Sequence, residues 1–155
     1  MRDLFKKIIT DFHEKRLPST VSRDIDIPIG SGKIISLVGV RRSGKTSLLY
    51  HLIEKLRETV EPASLIYINF EDDRLFPLEL PHLDELMEAY YELHPENREK
   101  KVYAFFDEIQ AVKNWEKFVR RIYDTSNVDI FVTGSSSKLL SAELATALRG
   151  RTITY

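Results

Sequence analysis

Residues 33–58 read KIISLVGVRRSGKTSLLYHLIEKLRE, a short apolar run, a glycine-bounded loop and then an amphipathic stretch. This segment constrains the chain more than any other. The run Ile34–Val38 is long enough for a buried strand, and Lys45–Glu58 repeats apolar residues at helical spacing. Between them GVRRSGKT, Gly39 to Thr46, fits G-x-x-x-x-G-K-[ST] in the strand–loop–helix context in which that pattern carries chemistry. Gly39 and Gly44 allow backbone conformations and close approaches that a side chain would obstruct. Successive N–H groups can then turn inward as an anion-binding nest, reinforced by the helix N-terminus. Gly39, Val40, Arg41, Arg42, Ser43, Gly44, Lys45 and Thr46, with Ser47 behind them, are the expected phosphate contacts. Lys45 is expected to reach the β- and γ-phosphates, and the Thr46 hydroxyl to ligate Mg²⁺. The stretch IGSGK, Ile29 to Lys33, is also glycine-rich, but its spacing differs and a strand follows it, so it reads as a turn.

The same alternation recurs along the chain. Helix is expected over residues 2–16, a strand over Ser64–Phe70, a helix over His82–Leu93 and a strand over KVYAFFD. A helix over Asn114–Thr125, a strand over VDIFVTG, a helix over SKLLSAELATAL and a last strand at RTITY follow. An alternating RDIDIPI from Arg23 suggests an additional edge strand. Strands alternating with helices, most of them continuously apolar, predict an α/β fold with a mainly parallel sheet covered on both faces. With 155 residues, 43% hydrophobic and 30% charged, the chain suits one domain. It is expected to divide into an N-terminal helix and linker (1–20) and a nucleotide-binding core (21–155).

Composition removes several classes. There is no cysteine, which excludes disulfides and thiolate metal sites, and the four histidines are scattered. No apolar run approaches the ~20 residues of a membrane-spanning helix. The charged N-terminus MRDLFKKIITDFHEKRLP has no signal-peptide core, and a cytoplasmic setting is expected. A net charge of −1 gives no domain-wide nucleic-acid footprint. Local basic clusters (Lys6, Lys7, Lys15, Arg16; Lys117, Arg120, Arg121) leave a nucleic-acid-linked ATPase as one reading, although such clusters usually form solvated helix faces. The single glutamine leans toward a thermophilic source.

A phosphate loop needs a magnesium-holding carboxylate. VYAFFDE ends a buried run in two acids, Asp107 and Glu108. Alone they would read as a strand end entering solvent. Beside the phosphate loop they divide the work: Asp107 for the magnesium shell, Glu108 to polarise an attacking water. That favours water over a metabolite hydroxyl as acceptor. Thr133, at the tip of VDIFVTG, offers a hydroxyl to the γ-phosphate or the water; for Ser135 and Ser136 a helix N-cap is the competing role. Arg41, Arg42, Arg149 and Arg151 are candidate arginine fingers, in cis or across a subunit interface, with Arg151 the expected catalytic one. EDDR, Glu71 to Arg74, reads as a solvated strand end.

Together GVRRSGKTSLL, VYAFFDEIQ, FVTGSSSKLLS and LRGRT resemble the AAA+-like prokaryotic ATPases common in archaea. The resemblance covers the chain from about Ile34. It implies a P-loop three-layer α/β/α sandwich with strand order 5-1-4-3-2, ATP and Mg²⁺ as ligands, and a sensor-like role between Thr133 and Ser136. It implies ATP over GTP, a preference the residues alone do not set. Relatives of this kind continue past the fifth strand into a helical lid and a further domain. A chain stopping at RTITY is expected to lack them, and a nucleotide-operated switch with little turnover of its own is the main alternative. A homo-oligomer or a protein client is the kind of partner implied.

Overall fold

The computed structural model describes residues 1–18, 26–39, 44–135 and 146–155. In chain order its regular elements are α1 (Arg2–Glu14), β1 (Ile34–Val38), α2 (Lys45–Arg57), β2 (Leu65–Asn69), α3 (Leu80–Leu93), β3 (Val102–Asp107), α4 (Trp115–Thr125), β4 (Val128–Gly134) and β5 (Thr152–Thr154). The sheet runs β2-β3-β4-β1-β5 with every neighbouring pair parallel, which is the 5-1-4-3-2 order.

Side-chain parity in the strands explains the two layers of helices. Successive strand residues face opposite sides. Ile66 and Ile68, Val102, Ala104 and Phe106, and Val128, Ile130 and Val132 face one way, into a core closed by α1, α3 and α4. Leu65, Phe105, Phe131, Ile35 and Leu37 face the other way, against Leu48, Leu49, Leu52, Ile53 and Leu56 of α2. Phe105 and Phe131 stack across β3 and β4 with ring centroids 4.6 Å apart. Both faces are therefore apolar, and neither strand pattern alternates strongly, as a doubly covered parallel sheet requires.

The N-terminal helix protects an edge. Phe5 and Ile9 of α1 enter the first core and Phe12 the second, so the helix lies along β2, the outermost strand. There His13 Nε2–H donates to the Leu65 carbonyl at 2.7 Å, satisfying an edge acceptor that would otherwise invite pairing. Burial lowers the His13 pKa, with His94 and Arg57 adding to the effect and the Leu65 hydrogen bond opposing it. The unfolded chain thus binds the proton first on acidification. This contribution to stability is intact above the ordinary histidine pKa of 6.5 and is lost as pH falls from there toward the folded pKa. Thermal melts should show Tm dropping between pH 7.5 and 5.5, and less steeply in His13→Gln; equal slopes would contradict this.

The elements differ from expectation at a few boundaries. Helix α3 begins at Leu80, two residues early, because the Glu79 N–H donates to His82 Nδ1 at 3.0 Å and closes the first turn around Pro81. Of the alternating run from Arg23, the described residues Asp26–Pro28 form no strand, and Ile27 instead packs into the α2 core. The expected helix SKLLSAELATAL lies mostly outside the described residues.

Candidate active site

Among the described residues, the active-site candidates of the glycine loop, β3 and β4 sit at the C-terminal edge of the sheet, whereas Arg149 and Arg151 precede β5 at the other edge. Strand register puts Leu37 level with Thr133 and Asn69 level with Asp107, and Phe106 level with Val132, so Asp107 and Thr133 are neighbours. Parity then matters. Tyr67, Asp107 and Thr133 are all odd-numbered strand positions on the α2 side, where the first turn of α2 presents Thr46.

The result is a buried carboxylate held by three hydroxyls. Asp107 is 1% exposed. Its Oδ2 accepts from Thr46 Oγ1 at 2.8 Å and from the Tyr67 hydroxyl at 2.7 Å; its Oδ1 accepts from Thr133 Oγ1 at 2.5 Å. A buried charge is tolerated when hydrogen bonds replace its hydration, as these do. Burial, the Asp107 charge and the Tyr50 hydroxyl push the Tyr67 phenol well above its ordinary pKa, so it stays protonated and remains a donor.

Glu108 leaves the strand by a different route. Continued strand geometry would aim it into the apolar core beside Phe106. Instead its backbone takes the left-handed conformation, φ 54°. That costs of order 1 kcal/mol in a non-glycine residue. Its N–H is caught by Thr133 Oγ1 at 2.9 Å. The turn brings Glu108 to a cavity of about 290 Å³ that it shares with Gly44, Lys45, Thr46 and Ser47. There Glu108 Oε2 accepts from Gln110 Nε2 at 2.7 Å, and the same amide donates to Ser135 Oγ at 2.9 Å.

On the opposite wall, Gly44 has φ 86° and starts α2, a conformation that glycine adopts without strain. Lys45 is nearly buried, and its Nζ donates to the Gly39 carbonyl at 3.3 Å. Val40, Arg41, Arg42 and Ser43 lie outside the described residues. The donor set suits a hard cation: a hydroxyl and a carboxylate oxygen in contact beside a cavity, with no soft ligand. Among the described residues no cluster of three or more His, Cys, Asp or Glu offers a chelating alternative.

Two expected site residues have other partners in this structure. Arg151 precedes β5 at the N-terminal edge of the sheet, where its carbonyl accepts from the Ile34 N–H, and its Nε donates to Asp124 at 3.0 Å. The length of β1 separates it from Gly39, where the loop begins. Thr133 has one hydroxyl proton, and in this structure it is given to Asp107. Thr133 thus ties Asp107 to the Glu108 backbone. Of the basic residues, Lys6 pairs with Glu92, Arg121 with Asp84 and Arg120 with Asp124. Tyr67 and Gln110 join the site beyond the expected residues, through Asp107 and Glu108. Strand parity points to Tyr67, whereas Gln110 depends on the turn at Glu108.

A parallel 5-1-4-3-2 sheet, with a glycine loop leaving β1 and two acids leaving β3, defines a P-loop nucleotide-binding ATPase-like domain. The chain belongs to the AAA domain family, whose match spans residues 31–155. It is similar to an uncharacterized protein of Methanocaldococcus jannaschii, 46% identical over 97% of this chain and 32% of the relative. Another uncharacterized protein, from Haemophilus influenzae, is 39% identical over 77% of this chain and 29% of its own length. The chain thus spans about a third of the curated relatives it matches. The solved structure of C. elegans PCH-2 aligns over 99% of this chain and 41% of its own, with TM-score 0.48 and 17% identity. Among the described residues no helix is long and apolar enough to cross a membrane.

Proposed function

We propose that this domain binds Mg²⁺–ATP and hydrolyses it to ADP and phosphate. The observation that carries the reading is the cavity lined together by Lys45, Thr46 and Glu108, with Asp107 bonded to Thr46 behind it. Lys45 exchanges its Gly39 contact for the β- and γ-phosphate oxygens, while the N-terminus of α2 faces the same charge. Thr46 and Asp107 would hold magnesium, which would supply neutralisation of the charge on the β- and γ-phosphates. Asp107 lies behind Thr46 and would act on the ion through the Thr46 hydroxyl it holds. Glu108 accepts the proton of the water whose oxygen attacks the γ-phosphorus, as the bond to the ADP oxygen breaks. Ser135, rather than Thr133, is the strand-tip hydroxyl beside Glu108 and takes the sensor role.

A second reading, a switch that binds ATP and turns over slowly, is favoured by the Gln110 amide, which holds the Glu108 carboxylate. Single-turnover phosphate release separates the two. Magnesium-dependent release in one enzymatic step supports hydrolysis. Binding without release supports the switch. ATP rather than GTP rests on the family. A charge-stabilising arginine from a second copy, Arg151 included, belongs to the same proposal.

A further inference from the structure

We propose that Tyr67 is a positioning residue for the metal-holding carboxylate, acting on magnesium affinity through Asp107 Oδ2; this rests on the magnesium–ATP reading above. Asp107 presents about four lone-pair directions. Thr133 takes one on Oδ1, and Thr46 and Tyr67 take two on Oδ2. The torsion that swings a carboxylate about its Cβ–Cγ bond is broad and intrinsically soft. One donor on each oxygen would leave that swing restrained only by Thr133 and Thr46, and the Thr46 oxygen must also serve the metal. The Tyr67 hydroxyl adds a third point of attachment that does not touch the metal.

The phenol is suited to this because its own position is fixed. Its ring is held between Phe12 of α1, with centroids 5.6 Å apart, and Tyr50 of α2, 5.3 Å apart. The Tyr50 hydroxyl donates to the Tyr67 oxygen at 3.4 Å, a long contact that leaves the Tyr67 proton for Asp107. Arg57 in turn holds the end of α1, donating to the Phe12 carbonyl at 3.1 Å. The carboxylate is thus oriented by a side chain braced from two helices. Groups of this kind behind a metal ligand typically change metal affinity by about 10–100-fold when removed. A purely structural tyrosine would stabilise the fold without distinguishing metal-loaded from metal-free nucleotide binding.

The test uses the whole chain, a fluorescent ATP analogue and a magnesium titration, with parallel binding in EDTA. Circular dichroism verifies folding of each variant. Tyr67→Phe keeps the ring and removes only the hydroxyl. It should raise the magnesium concentration for half-maximal enhancement of binding about ten-fold, leave the affinity in EDTA unchanged, and shrink the rise in Tm that magnesium adds over nucleotide alone. Tyr50→Phe, which preserves the Tyr67–Asp107 bond, should stay within about two-fold of wild type, since the bond it removes is weak and long. Tyr67→Phe matching wild type in magnesium, or losing affinity equally in magnesium and EDTA, overturns the proposal alone. Wild-type chain that binds no nucleotide, or binds it without regard to magnesium, overturns it together with the proposed function.

Discussion

Glu108→Gln is expected to slow single-turnover phosphate release by about 10²–10⁴-fold, the range that a positioned general base contributes. Mg²⁺–ATP affinity should remain within about two-fold of wild type, because the change removes a proton acceptor and no phosphate contact. The substitution keeps shape and local bonding. A glutamine Oε1 can still accept from Gln110, and the left-handed turn depends on the Glu108 backbone N–H and Thr133, neither of which changes. The loss therefore reports basicity at that position. An unchanged rate would remove Glu108 from the chemistry. If the wild type itself binds ATP without releasing phosphate, the slow-switch reading gains and the tether from Gln110 becomes its physical basis.

Asp107→Asn tests the other acid, and its effect has two parts. The amide is neutral, so the charge available to magnesium disappears. One of its two atoms also changes from acceptor to donor. If Nδ2 takes the place of Oδ2, it meets two hydroxyl donors, Thr46 and Tyr67. If it takes the place of Oδ1, it meets the Thr133 proton instead. Either orientation breaks at least one bond at a position that is 1% exposed. A disrupted buried bond to a charged group costs about 1.5–3 kcal/mol. For a chain of this size that corresponds to a Tm lowered by roughly 3–12 °C. The enhancement of nucleotide binding by magnesium should fall by about 10–100-fold, with binding in EDTA preserved. Calorimetric melting and the magnesium titration read the two parts separately. A variant with full magnesium enhancement would show that Asp107 is structural only.

The fold was largely legible because its signals are local. Apolar runs of strand length between helical repeats give the parallel sheet, and most element boundaries fall within two residues of expectation. Residue type and spacing also single out the loop from Gly39 to Thr46 and the pair Asp107–Glu108, and Gly44, Lys45 and Thr46 do line one cavity with Glu108. What escaped were properties of register and direction. Tyr67 lies 40 positions from Asp107, and only strand parity and the pairing of Asn69 with Asp107 bring its hydroxyl to the carboxylate. Thr133 has the right address, but its proton is spent on Asp107, a fact that depends on the geometry between two strands. Arg151 follows a glycine in a motif-like setting, yet the parallel pairing of β5 with β1 fixes it at the opposite edge. Gln110 acts only because Glu108 adopts a positive φ, which a glutamate would not be expected to do.

The most direct measurement is equilibrium binding of ATP in magnesium to the wild-type chain and to Lys45→Ala. Lys45 is the charge that the phosphate loop contributes, nearly buried and already turned back toward Gly39 at the mouth of the cavity. Removing it should weaken Mg²⁺–ATP binding by about 10–100-fold, the value of one or more lost bonds between charged partners. Binding of the alanine variant at wild-type affinity would contradict the assignment of this cavity to the triphosphate, and with it the roles given to Thr46, Asp107 and Glu108.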